Sequence, residues 1–190
     1  MIKLIAVSLS TLSLAAAVQA APATYAVDPS HTYAQYTVNH LGFSEQIGLF
    51  AKVGGTVTLD TEARDGAVDI KIDAASLQTF WAARDKHLKG PDFFNVEKYP
   101  SLTFTSDKLV FAGETLSEVQ GKLTLLGVTR PVTLKVTHFK GGKNPMSGIE
   151  TYGANAETVI RRSEFGMKTY VPAIADEVKL NIVIEAQRTK

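Results

Sequence analysis

The chain has 190 residues, 45% of them hydrophobic, with 20 basic and 19 acidic side chains and no cysteine. That length suits one domain around one core. The balanced charge excludes a nucleic-acid binder of the basic kind, and the absence of thiols excludes a disulfide framework, thiolate metal sites and cysteine nucleophiles.

The N-terminus reads as a secretory signal. Lys3 supplies a positive flank, Leu4 to Val18 form an apolar stretch, and Val18-Gln19-Ala20 offers a small-residue cleavage site. Ser8, Ser10, Thr11 and Ser13 interrupt the stretch, which falls short of the roughly 20 apolar residues needed to cross a bilayer core. The expectation is cleavage after Ala20, a periplasmic address and no integral membrane anchor. Residues 21–190 then form a single domain.

Beyond a short Ala21-Pro22-Ala23 leader, apolar and polar residues alternate with a period of two, the mark of half-buried antiparallel strands. The first such run is Tyr36-Val38-His40. Leu49 to Leu59 follows, with Gly54-Gly55 as an expected bulge or corner. Next comes Val68-Ile70-Ile72, with Asp69, Lys71 and Asp73 on the opposite face.

One helix interrupts the strands. Phe80 to Lys89 is predicted helical, with Thr79 as N-cap, Phe80-Arg84-Leu88 on one stripe and Gly90-Pro91 as the stop. Pro91 opens a second turn through Asp92-Phe93-Phe94, and Tyr99-Pro100 returns the chain to extended form. Further strands are predicted over Ser101 to Val110, Leu116 to Leu126, Val132-Leu134-Val136, Ile149 to Ile160 and Val178-Leu180-Ile182-Ile184, with a polar turn at 141–145. About eight strands result. Closure into a barrel removes their exposed edges and leaves room for side chains or one small ligand.

Candidate chemistry is sparse. The histidines are His31, His40, His87 and His138, and none has a metal-ligand spacing; His31 and His40 could converge near Asp28, but no metal is assigned. His138 is expected to end a strand at the barrel rim. His40 shares a face with Tyr36 and Val38, which makes it either a satisfied core histidine or a polar handle in an apolar cavity. No nucleophile elbow, phosphate loop or dinucleotide fingerprint occurs, so no catalytic residue and no cofactor is assigned. Arg84-Asp85-Lys86-His87 reads first as a solvated helix face. Phe80, Trp81, Phe93 and Phe94 are too many rings for a short surface helix unless they cover a barrel mouth.

Several blocks together resemble the YceI family of secreted, lipocalin-like proteins. They are Asp28-Pro29-Ser30-His31-Thr32, Tyr36-Thr37-Val38-Asn39-His40-Leu41-Gly42-Phe43-Ser44, Arg84-Asp85-Lys86-His87-Leu88, and Asp92-Phe93-Phe94-Asn95-Val96-Glu97-Lys98-Tyr99-Pro100 with Thr103-Phe104. Two later blocks are Gly121-Lys122-Leu123-Thr124-Leu125-Leu126-Gly127-Val128-Thr129-Arg130-Pro131-Val132 and Arg162-Ser163-Glu164-Phe165-Gly166-Met167. The resemblance implies an all-β, extended eight-stranded antiparallel barrel with a short helical insertion near residues 80–95. It also implies a polyisoprenoid, or another long-chain amphiphile such as a fatty acid or amide, threaded through its interior.

The partners expected are therefore a polyisoprenoid or other long-chain lipid and, at most, a second copy of the chain in a homodimer. Phe80-Trp81 departs from the small or polar residues expected before the Arg-Asp pair. Ligand contacts are expected from Tyr36, Val38, His40, Phe43, Phe50, Phe104 and Phe165, and from the insertion residues Phe80, Trp81, Arg84, Asp85, His87, Phe93 and Phe94. The polar members His40, Arg84, Asp85 and His87 are expected near the mouth.

Two other readings fit the same pattern: a hydrolase or isomerase acting inside the cavity, and a structural or stress-response protein with a filled interior. A carrier requires a continuous apolar cavity, an enzyme a pocket with perturbed titrating groups, and a filled barrel no cavity.

Overall fold

The computed structural model describes residues 22–189; the predicted signal peptide lies outside the described residues. The strands are β1 (Ala23–Val27), β2 (Tyr33–His40), β3 (Ser44–Phe50), β4 (Val53–Asp60), β5 (Asp65–Asp73), β6 (Leu77–Gln78), β7 (Ser101–Ala112), β8 (Thr115–Leu125), β9 (Val128–Lys143), β10 (Glu150–Arg161) and β11 (Ile174–Arg188). One helix, α1 (Ala82–Lys89), lies between β6 and β7.

These eleven segments make eight staves. β1 and β2 lie end to end along β11, pairing at 186–188 and 174–183 respectively. β3 pairs with β2 and β4 with β1, so these two also run in line, as do β5 and β6 beyond them. From β7 to β11 each strand pairs with the next, and β1 between β4 and β11 closes the ring. The result is an eight-stave antiparallel barrel, and no strand pairing joins β6 to β7.

Alternation aims one face of every stave inward, and bulges keep it aimed. In β9 the pairing slips opposite Asn155 and Ala156, so that both Val136 and Phe139, three residues apart, face the interior. A slip in β7 between Ser106 and Lys108 likewise follows Phe104 with Leu109. His138 therefore sits in mid-strand on the outside rather than at the rim, because the bulge turns it to solvent. Gly54-Gly55 pairs with β5 without a break, and the interruption predicted there falls at Ala51-Lys52.

Cross-strand tyrosines line part of the inner face. Tyr36 lies directly over Gly48 and Tyr152 over Gly141, so close that a Cβ on either glycine would collide with the ring. Glycine at both positions lets a large ring lie flat along the wall. At the end of the barrel away from α1, the Tyr25 hydroxyl donates to Glu150 Oε1 at 3.0 Å and Arg188 Nη1 donates to Glu150 Oε2 at 2.5 Å, tying β1, β10 and β11 at the closure. Burial first, then the Glu150 bond, pushes the Tyr25 hydroxyl up to about 12, so it stays a donor.

The predicted helix is shortened at its start. Phe80 has φ +63°, outside the helical region, and Trp81 occupies the cap position with no side-chain capping bond. Thr79 is buried instead: its amide and hydroxyl donate to Asp85 Oδ1 at 2.7 and 2.5 Å, which anchors α1 from inside.

At the β1–β2 joint, Asp28 accepts from the Ser30 amide and hydroxyl, from His31 Nδ1 at 2.9 Å and from Gln187 on β11. Ser30 chiefly, then His31, holds the Asp28 carboxyl at about 2, and the Asp28 bond raises the His31 imidazole. The Asp28 contribution to stability is present above about pH 3.8 and is lost as pH falls toward 2; the His31 contribution is full below about pH 6.5 and is lost as pH rises through its raised folded value. The melting-temperature difference between the protein and Asp28→Asn should therefore be widest between about pH 4 and 6.5 and narrow on both sides. A difference that stays constant from pH 3 to pH 8 would show that the joint does not depend on this pair.

Candidate functional site

The barrel is not filled. The residues that form its core surround a cavity whose volume, counted as the space open to the centre of a water molecule, is about 220 Å³. One water needs only about 10–15 Å³ on that measure, so this is no packing defect.

The wall is built from the inward faces of the staves. Val68, Ile70 and Ile72 of β5, Val132, Leu134 and Val136 of β9, and Val178, Leu180, Ile182 and Ile184 of β11 all contribute to it. Phe93 and Phe94, from the segment after α1, close over one end; Phe94 packs edge-on against Phe50 with ring centroids 5.2 Å apart and lies 6.4 Å from Tyr36. Among the described residues lining the cavity there is no Asp, Glu, His or Lys, and the one charged residue is Arg162. Space of this size with apolar walls offers water few partners and suits a hydrocarbon chain.

Arg162 is the feature that sequence reasoning missed. It is 4% exposed, and its guanidinium donates to four backbone carbonyls: Nε to Ala175 at 2.9 Å, Nη1 to Met167 at 3.2 Å and Thr169 at 2.9 Å, and Nη2 to Ile174 at 2.9 Å. One side chain thus satisfies the loop between β10 and β11 from within, as buried backbone polar groups require. Burial draws its pKa below the ordinary guanidinium value, partly opposed by Asp176. Asp176 is itself occupied by the Ser163 amide and hydroxyl.

The expected site residues divide into two sets. Tyr36, Val38, Phe50, Phe93, Phe94 and Phe104 line the cavity. His40, Phe43, Phe80, Trp81, Arg84, Asp85, His87 and Phe165 do not, and for physical reasons. His40 is the last residue of β2, opposite Ser44 and Ile174, at the edge of the wall and not part of its lining. Phe43 sits on the hairpin tip and is 88% exposed. Phe80 and Trp81 stand outside the barrel rather than plugging it, since the left-handed Phe80 backbone turns the chain outward. Phe165 is buried in the β10–β11 connection.

The polar pair is committed elsewhere. Arg84 donates to the Thr79 hydroxyl and carbonyl and to Gln46 Oε1, and Asp85 accepts from Thr79, so both hold the start of α1 to the sheet outside the cavity lining. His87 is exposed on α1 and stacks edge-on over Phe93 at 5.1 Å. His31, Asp28 and Glu185 bring ligand-type atoms within 4.8 Å of one another, but they form the β1–β2 joint, and His40 is not among them.

Burial pushes the Tyr36 hydroxyl up to about 12, which keeps it neutral. With Tyr152 it supplies the hydroxyls of a wall whose other polar members are Gln35 and Arg162. Such an interior can hold a chain by contact and by the hydrophobic effect, at roughly 0.8 kcal/mol per methylene buried.

A YceI-like domain matches residues 25–186. A UPF0312 protein of Pseudomonas putida (strain W619) is 38% identical over 190 aligned positions, covering 97% of this chain and 96% of its own. Protein YceI of Escherichia coli O157:H7 is 38% identical over 175 positions, covering 90% of each chain. BcnA of Burkholderia cenocepacia superposes with a TM-score of 0.72 at 26% identity, over 84% of this chain and 99% of that one. A polyisoprenoid binding domain from Saccharophagus degradans shares the fold, with a TM-score of 0.68 at 14% identity over 87% of this chain and 98% of that one.

Proposed function

The chain belongs to the YceI-like family, and from that premise we propose that it binds and carries a long-chain apolar amphiphile, a polyisoprenoid such as a quinone or prenyl phosphate, in the barrel interior. The observation that carries this reading is the apolar cavity running among all eight staves. A similar fold in a protein described as a polyisoprenoid binding domain supports the same ligand class. The signal-like N-terminus supports a periplasmic site of action, and among the described residues no helix is long and apolar enough to cross a membrane.

Binding is favoured over catalysis because the wall holds no carboxylate or imidazole, the groups that do acid-base work near neutral pH. It is favoured over a purely structural role because a filled barrel has no such space.

The test is mass spectrometry of the full chain expressed in a Gram-negative host, recovered from the periplasm and purified without detergent. A stoichiometric isoprenoid is the expected result. Protein that emerges folded and empty, and stays empty when quinones, prenyl phosphates and fatty acids are offered, overturns the reading.

A further inference from the structure

The rings that fail to line the cavity gather outside one end of it. Phe43, Phe80 and Trp81 are 88%, 80% and 64% exposed, and Leu41, Ile47 and Tyr170 join them as exposed apolar residues. Three short segments bring the six together. Leu41 and Phe43 form the β2–β3 tip, and the Leu41 amide donates to the Ala173 carbonyl at 3.0 Å, which seats the tip against the loop bearing Tyr170. On the other side β6 pairs with β3, Gln78 opposite Leu49, so the chain leaves the sheet two residues before Phe80 and two residues along β3 from Ile47. The Arg84 bond to Gln46, with its guanidinium 5.9 Å from the Trp81 ring, holds the start of α1 there.

This rim is continuous with the cavity, because Tyr170 packs on Phe93 with centroids 6.2 Å apart and Phe93 is part of the wall. It is also positive. Segments 41–47, 80–94 and 168–173 carry Arg84, Lys86, Lys89 and Lys168 against Glu45, Asp85 and Asp92, four basic less three acidic, and Asp85 is taken up by Thr79. Lys86, Lys89 and Lys168 take part in none of the ion pairs among the described residues. Exposed aromatic and aliphatic groups on the same short segments as unpaired lysines match the interfacial zone of an anionic bilayer, where tryptophan and tyrosine concentrate and lysine meets phosphate.

We propose that this rim docks the barrel on an anionic phospholipid surface, so that cargo passes between membrane and cavity at the α1 end. The docking rests on the carrier reading for its purpose and on the rim alone for its chemistry.

The protein carries its own probe, since Trp81 is the single tryptophan. Its emission is recorded as the full chain is titrated with vesicles of phosphatidylethanolamine and phosphatidylglycerol, with phosphatidylcholine vesicles for comparison. The expected result is a blue shift on the anionic vesicles, quenching by acyl-brominated lipid, and vesicle affinity at least about tenfold lower for Phe43→Ser combined with Phe80→Ser, from the apolar area withdrawn. Both replaced side chains are exposed, and a melting curve verifies that the variant folds. Unchanged Trp81 emission and no quenching overturn the proposal. So does a blue shift that grows with protein concentration without vesicles, because a second copy then covers the rim. Isoprenoid that stays bound in a protein that does not dock defeats docking and leaves the carrier reading standing; an empty cavity defeats the carrier reading alone.

Discussion

Replacing Arg162 by alanine will cost about 3–5 kcal/mol of stability, a drop in melting temperature on the order of 10 °C for a domain of this size. Its guanidinium donates to four carbonyls of the β10–β11 connection. Charge-assisted bonds each contribute roughly 1.5–3 kcal/mol but do not add independently when they share one side chain. Arg162→Lys will recover only part of the loss, because a single ammonium keeps the charge but cannot span carbonyls set around a planar fork. Thermal melts of both variants check this. Melting within about 2 °C of the parent for Arg162→Ala would show that water satisfies the loop as well as the guanidinium does.

The second large effect concerns the cavity. Ala156, halfway along β10, lines it between Val136 of β9 and Ile182 of β11. Ala156→Trp projects a ring into open space and should reduce co-purifying lipid by tenfold or more, while the melting temperature of the emptied protein is retained. The sign of the stability change separates the readings. In a close-packed interior the same insertion costs about 1–3 kcal/mol through forced rotamers and backbone shifts; in an open one it fills space and gains contacts. Full lipid loading in Ala156→Trp would show that the ligand does not occupy this stretch of the barrel.

Much of the barrel was legible in the residues, because period-two alternation survives wherever one face of a strand is buried. The faces Val68-Ile70-Ile72, Val132-Leu134-Val136 and Val178-Leu180-Ile182-Ile184 are the cavity wall itself. The site expectation leaned instead on aromatic rings, and rings are ambiguous: Phe93 and Phe94 point in, while Phe43, Phe80 and Trp81 point out, and what separates them is local backbone geometry such as the left-handed Phe80. β1 is absent from the predicted strands, because five residues whose buried face holds only Tyr25 and Val27 give too short a pattern, although that strand closes the ring. Arg162 was hidden for a different reason. An arginine in sequence reads as surface, and only the carbonyls gathered around it by the returning chain make its burial stable.

The staves are unequal in construction. β7 to β11 run as long continuous ribbons, whereas the other three staves are each jointed, at 28–32, 51–52 and 74–76, and stand side by side. The last of them parts from β7 at its α1 end, so the wall there is a slit caulked by the segment from Thr79 to Pro100 rather than a laced seam. A molecule leaving sideways through that slit would have to shift Phe93, Phe94 and one short helix, while every rung of the paired ladder stayed in place. The one unlaced stretch of wall thus lies at the α1 end, and the rest of the cylinder is held by continuous ladders.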